Sequence, residues 1–213
     1  MTNPSLTHLY FLLDRSGSMQ SIREDTIGGF DAFIAEQRTL PGQCRVTLAH
    51  FDDRYEVVYT DRPIQDVPSL DLKPRGMTAL LDAIGRLVSD AGAALESLPE
   101  SERPGTVIVG IMTDGLENAS KEWTHQAIKT LIERQSQTYS WEFLYLGADQ
   151  DAIEVGAGLG VPASRSMTYS RDSALAAMAS TSAMVGRVRA ARASGVHAAD
   201  VGFTQEERKA SAR

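Results

Sequence analysis

The sequence holds one cysteine, Cys44, in 213 residues. That excludes a disulfide framework and a cysteine-rich zinc site, and a lone thiol suits a reducing compartment. Basic charge is in deficit: 21 Lys and Arg stand against 28 Asp and Glu, a net charge of −7. Nucleic acid is therefore not an expected partner, because binding phosphates needs a basic face. No apolar run approaches the roughly 18–20 residues that span a bilayer. The opening Met-Thr-Asn-Pro-Ser-Leu-Thr-His lacks the basic start of a secretory signal. These absences set the expectation of a cytoplasmic chain with no membrane role. Catalytic signatures are missing as well: no P-loop lysine follows a strand and there is no Gly-x-Ser-x-Gly elbow. His8, His50, His125 and His197 show no metal-ligand spacing, and His50 reads as a satisfied core residue.

What is present is apolar material, 42% of the chain, enough for the core of one medium α/β domain. Residues 9–13 and 106–112 are unbroken apolar runs, the pattern of strands buried on both faces. Helical spacing runs through residues 22–37, with Gly28-Gly29 inside it as a point of close packing, and again through 80–95. Residues 44–51 and 55–59 read as strands joined at Asp52-Asp53-Arg54, a turn of solvated composition, so the second is an antiparallel edge. A helix capped by Ser120, a buried strand at 141–146, a short helix capped by Asp149, a weak strand at 165–169 and an Ala-rich helix opened by Asp172 complete the pattern. Arg187, Arg189 and Arg192 read as the solvated face and end of that last helix. Gly156-Ala-Gly158-Leu-Gly160 follows a helix rather than opening one after a strand, so it reads as a helix terminus and not a dinucleotide loop.

This order predicts a three-layer Rossmann-like α/β sandwich: a mostly parallel central sheet, one antiparallel edge strand, and helices on both faces. The apolar rhythm fades after about residue 193. The domain is accordingly drawn over 1–192, with 193–213 as a C-terminal extension, weakly ordered or a short helix begun by the capping box of Thr204 and Glu207.

Both unbroken strands run into acids. Asp14 is followed at alternate positions by Ser16 and Ser18, so an extended loop points all three oxygens one way. Asp114 ends the other strand in Thr113-Asp114-Gly115. Doubly wound sheets bind ligands beyond the carboxyl ends of their strands, where strand order reverses. If these strands are neighbours, the two acids face each other with no evident countercharge, and close carboxylates repel unless a proton or cation lies between them. A third loop carries Gly76 and Thr78 into the next helix, where the Thr78 hydroxyl can cap the helix or reach a metal. Every donor is a hard oxygen, which suits magnesium, manganese or calcium rather than zinc or copper.

Asp14-x-Ser16-x-Ser18, Thr78 in its Gly-x-Thr loop and Thr113-Asp114-Gly115 together resemble the von Willebrand factor A domain. They match its metal-ion-dependent adhesion site without substitution, and the likeness runs over roughly residues 6–167. The resemblance implies that Ser16, Ser18 and Thr78 offer hydroxyls to the metal, and that Asp14 and Asp114 bind it directly or through water. It implies that the strands ending in these acids lie side by side. It further implies one open coordination position for an acidic side chain of a protein partner, which Thr78 engages with the metal. The expected function is thus a divalent-cation-dependent protein-binding module, not an enzyme, with Mg2+ as the ion and Mn2+ or Ca2+ as alternatives. Two other readings stand beside it. One is a metal-dependent phosphoester hydrolase using Asp14 as nucleophile, although position 16 is serine where such sites carry a second Asp. The other is a non-motor subunit of an ATP-driven, chelatase-like complex, as in some bacterial relatives.

Overall fold

The computed structural model describes residues 2–196 and 198–212; His197, noted above, lies outside them. Along β1 (Asn3–Asp14) successive side chains point to opposite faces. Leu9, Phe11 and Leu13 enter one core, and Tyr10 and Leu12 enter the other. Such two-sided burial requires helices over both faces. In parallel, β2 (Gln43–Phe51) and β4 (Pro104–Thr113) flank β1. Beyond β2 lies β3 (Tyr55–Pro63), the antiparallel edge; beyond β4 lie β5 (Glu142–Ala148) and β6 (Ser166–Tyr169), both parallel. The six strands are ordered β3-β2-β1-β4-β5-β6.

One face is covered by α1 (Arg23–Thr39) and α5 (Ala174–Ala193), whose Phe30, Phe33, Met178 and Val185 join Leu9 and Phe11. The other is covered by α2 (Leu80–Ser97), α3 (His125–Tyr139) and α4 (Ala152–Gly158). The expected three-layer α/β architecture is therefore observed. At Gly29 a Cβ would come within 2.9 Å of the Met178 side chain, so the glycine inside α1 serves close approach to α5. Gly160 takes a positive φ of 89° just after α4, which makes the run of glycines a helix terminus.

Several local expectations change once tertiary partners are visible. Ser120 does not cap α3, whose N-cap is Thr124. Its hydroxyl instead accepts from the Asp82 amide in the first turn of α2, across 3.0 Å. The N-cap of α4 is Asp151, not Asp149, and α5 opens at Ser173 rather than Asp172. Nor are the basic residues of α5 a solvated face. Arg189 is buried and donates to the Gln37 carbonyl and side chain at 3.0 Å each. Arg192 donates to the buried Glu142 at 2.6 Å, and Glu142 also pairs with Arg165. Arg187 forms a two-pronged pair with Glu207 on α6 (Gln205–Ser211), where the Thr204–Glu207 capping box is present. The α6 helix is further held by the Ser170 amide donating to the Ser211 carbonyl at 2.9 Å.

Candidate functional site

The strand order places β1 against β4, with Leu13 beside Met112. From β1 the chain crosses to β2 on one side; β4 then takes the position on the other side of β1. The carboxyl ends of β1 and β4 thus bracket the reversal of strand order, the usual ligand position in such sheets. Asp14 and Asp114 sit there, and both are buried.

Short hydrogen bonds tie the two acids to their loops. Asp14 Oδ1 accepts from the Ser16 amide at 2.6 Å, and Oδ2 accepts from the Thr113 hydroxyl at 2.5 Å. Ser18 donates to Asp114 Oδ1 at 2.6 Å. Because that bond uses the Ser18 proton, the 3.0 Å contact between the two serine hydroxyls has Ser16 as its donor. A directed chain therefore runs from Ser16 through Ser18 to Asp114. Burial pushes the Asp14 pKa up, the bonds from Thr113 and Ser16 pull it down, and the Asp114 charge raises it again; it comes to about 6. The expected mutual repulsion of the two acids is present.

Thr78 reaches the same place from a third loop. Its hydroxyl lies 3.2 Å, and that of Ser18 3.7 Å, from the point where a side chain on Gly115 would begin. The Thr78 amide donates to Asn118 Oδ1 and its carbonyl accepts from the Asn118 amide, both at 3.0 Å, which locks this loop to the one after Asp114. Gly17 donates to the Gly76 carbonyl at 3.2 Å and Arg75 to the Arg15 carbonyl at 2.7 Å, which locks it to the one after Asp14. Gly76 itself has φ of 72°, and a Cβ there would sit 2.3 Å from Asp53 Oδ1. All five residues singled out in the sequence, Asp14, Ser16, Ser18, Thr78 and Asp114, are thus brought together.

Sequence reasoning missed two charged residues. Asp52, read as part of a solvated turn, is fully buried. It accepts from Arg15 Nε at 3.0 Å, Arg75 Nε at 2.8 Å and the Arg54 amide at 2.8 Å. Burial pushes its pKa up, but the Arg75 and Arg54 bonds and the Arg15 charge outweigh that and hold the carboxyl below its usual range. Its backbone carbonyl also accepts from Ala79 at 2.9 Å, so Asp52 joins the loop after Asp14 to the loop that carries Thr78. The second is Arg171, which donates from Nη2 to the carbonyl and to Oδ2 of Asp114, at 3.2 Å each. Asp114 therefore does have a countercharge, contrary to the sequence reading. Its signal was position: Arg171 lies two residues beyond the carboxyl end of β6, at the same sheet edge as Asp14 and Asp114.

The donors fit a hard divalent cation: two carboxylates and three hydroxyls, all oxygen. Among the described residues no three of His, Cys, Asp and Glu cluster to hold a metal, so any ion here would rest on two carboxylates and the hydroxyls. The buried Tyr169 hydroxyl, whose pKa burial and the carboxylates of Asp114 and Asp14 push well up, has no hydrogen-bond partner among the described residues. Two large apolar side chains stand exposed at the rim, Met77 beside Thr78 and Leu116 beside Gly115. Elsewhere, His50 is buried as expected, but its Nε2 lacks a hydrogen-bond partner among the described residues.

No protein-family profile matches the chain, and no curated protein matches its sequence. Solved structures do match. The von Willebrand domain of the type V pili tip protein Mfa5 from Porphyromonas gingivalis aligns with a TM-score of 0.59 at 10% identity, over 85% of this chain and 95% of that one. The von Willebrand factor type A protein from Catenulispora acidiphila aligns at 0.53 and 15% identity, over 84% of this chain and 42% of that one. The pilus adhesin SpaC from Lactobacillus rhamnosus GG aligns at 0.60 and 13% identity, over 84% of this chain and 30% of that one. The chain therefore spans less than half the length of the last two. Its sheet order and these matches together show that it carries the von Willebrand factor A fold.

Proposed function

We propose that the protein is a divalent-cation-dependent protein-binding module. Asp14, Ser16, Ser18, Thr78 and Asp114 would hold the ion, with Mg2+ as the natural choice and Mn2+ or Ca2+ as substitutes. The observation that carries the reading is the convergence of two buried carboxylates and three hydroxyls from three loops at the sheet's switch point. When bound, the ion supplies a positive centre to which a partner's Asp or Glu can bind. The chain's own residues do the rest. Ser16 and Ser18 orient Asp114, Thr113 orients Asp14, and Asn118 holds Thr78 in place. Exposed Met77 and Leu116 give the rim apolar surface of the kind protein partners cover. Two of the matched structures are named as a pilus tip protein and a pilus adhesin, which agrees with an interaction role. A cytoplasmic location fits the single thiol, Cys44, which is buried.

The test is affinity capture from a cell extract by the purified protein, in magnesium and in chelator, with Thr78→Ala beside wild type. The reading expects a partner held by wild type in magnesium, released by chelator, and held at least tenfold less by Thr78→Ala at unchanged melting temperature. Capture that ignores both chelator and Thr78→Ala would move the functional surface away from this site.

A further inference from the structure

We propose that Arg171 is the resident counter-ion of the oxygen site: it neutralises Asp114 in the metal-free protein and opposes the dication that enters. The inference rests on the metal-binding reading above. Arg171 follows β6 at the sheet edge that carries both acids. Its Nη2 is shared between the carbonyl and Oδ2 of Asp114. On its other side Nη1 lies 3.8 Å from Asp149, and Nε is buried without a hydrogen-bond partner among the described residues. Asp114, whose side chain is wholly buried, is thus the acid closest to this guanidinium. The chain just before Arg171 is anchored twice, by Ser170 donating to the Ser211 carbonyl and by Asp149 donating to the Tyr169 carbonyl, each at 2.9 Å. The cation thus extends from an anchored segment to a wholly buried carboxylate, with its own side chain partly exposed.

The charge balance follows. Asp14 and Asp114 together carry two negative charges, and Arg171 cancels one before any ion arrives. A dication entering this site meets less attraction than two bare carboxylates would give. Once loaded, the site carries one positive charge more than the two carboxylates and the dication alone would give, only partly offset by the half-exposed Asp149 at 3.8 Å, and this favours an anionic group on the partner over a neutral one. A guanidinium stays charged throughout the physiological pH range, so this bias is permanent. Arg171 thus lowers affinity for the ion and raises the preference for an acidic ligand.

Calorimetric titration of magnesium into wild type, Arg171→Gln and Arg171→Lys tests this. Arg171→Gln is expected to bind magnesium about tenfold more tightly than wild type, since a like charge near the ion is removed. Arg171→Lys, which keeps the charge, stays within about threefold of wild type, and the gain in Arg171→Gln shrinks as salt is raised. A purely structural arginine would act in the opposite direction, because its loss would loosen the site and weaken magnesium binding. Equal or weaker binding by a folded Arg171→Gln, with wild type binding the ion, overturns the counter-ion role alone. Folded wild type and Arg171→Gln that both take up no magnesium overturn the metal reading and this inference with it.

Discussion

Asp52 and Arg15 form a buried ion pair that joins two of the three loops carrying the oxygen donors. Removing one partner of such a pair leaves an uncompensated buried charge. Asp52→Ala is therefore expected to cost about 3 kcal/mol, read as a lowered urea midpoint, and Asp52→Asn less because an acceptor remains. A change within about 0.5 kcal/mol for Asp52→Ala, the range of ordinary surface substitutions, would show that the pair contributes no stability. Local sequence could not reveal this role. Asp52-Asp53-Arg54 has the composition of a turn, and nothing in it shows which acid faces inward. The partners that decide it, Arg15 and Arg75, are 37 and 23 residues away. Arg171 was hidden for the same reason, 57 residues from Asp114. The five oxygen donors were legible because each lies at a strand end or a helix entrance that periodicity marks out, and because together they resemble one family's motif.

Elements with a strong apolar pattern were read correctly, whereas elements defined by tertiary contacts were not. β1 and β4 stood out because both of their faces are buried, which leaves no polar alternation. Ser120 was assigned to the wrong helix because a hydroxyl between two elements can cap either, and the Asp82 amide of α2 lies within its reach. The arginines of α5 look like a solvated face until Gln37, Glu142 and Glu207 come into view. Two outcomes follow at this scale. Gly29→Ala drives a methyl against Met178 at the contact of α1 with α5, and should cost about 1–3 kcal/mol in chemical unfolding. Removing residues 204–213 deletes α6 and the Ser211 carbonyl that holds Ser170. The loop carrying Arg171 should then show faster amide exchange at Ser170 and Arg171, while the centre of β1 keeps its protection. Unchanged exchange there would mean that the loop is held without α6.

Across the whole molecule, two buried imidazoles contribute to acid sensitivity, beside carboxylates such as Asp52 that are held below their usual range. Burial, with the charge of Arg45, lowers the His8 pKa to about 3, and burial, with the charge of Arg15, lowers that of His50 to about 4. Unfolded, both rings protonate near 6.5. Between those values the unfolded chain binds more protons, so the stability these rings contribute is full above pH 6.5 and is lost as pH falls toward 4. Asp14, raised to about 6, works the other way and offsets only part of the loss. Urea midpoints should therefore drop steeply from pH 7 to pH 4.5, and a flat profile would contradict the burial of these rings as neutral groups. The same whole-molecule arrangement, six strands reversing order between β1 and β4, is what brings the oxygens together. The most direct test of that claim is calorimetric titration of magnesium into wild type, Asp14→Asn and Asp114→Asn, with far-ultraviolet circular dichroism confirming that all three are folded. The account predicts one ion per wild-type chain and binding lost, or at least about a hundredfold weaker, in both variants, as expected when a carboxylate is withdrawn from a hard-cation site. Wild type that takes up no ion, or variants that bind it as wild type does, would contradict it.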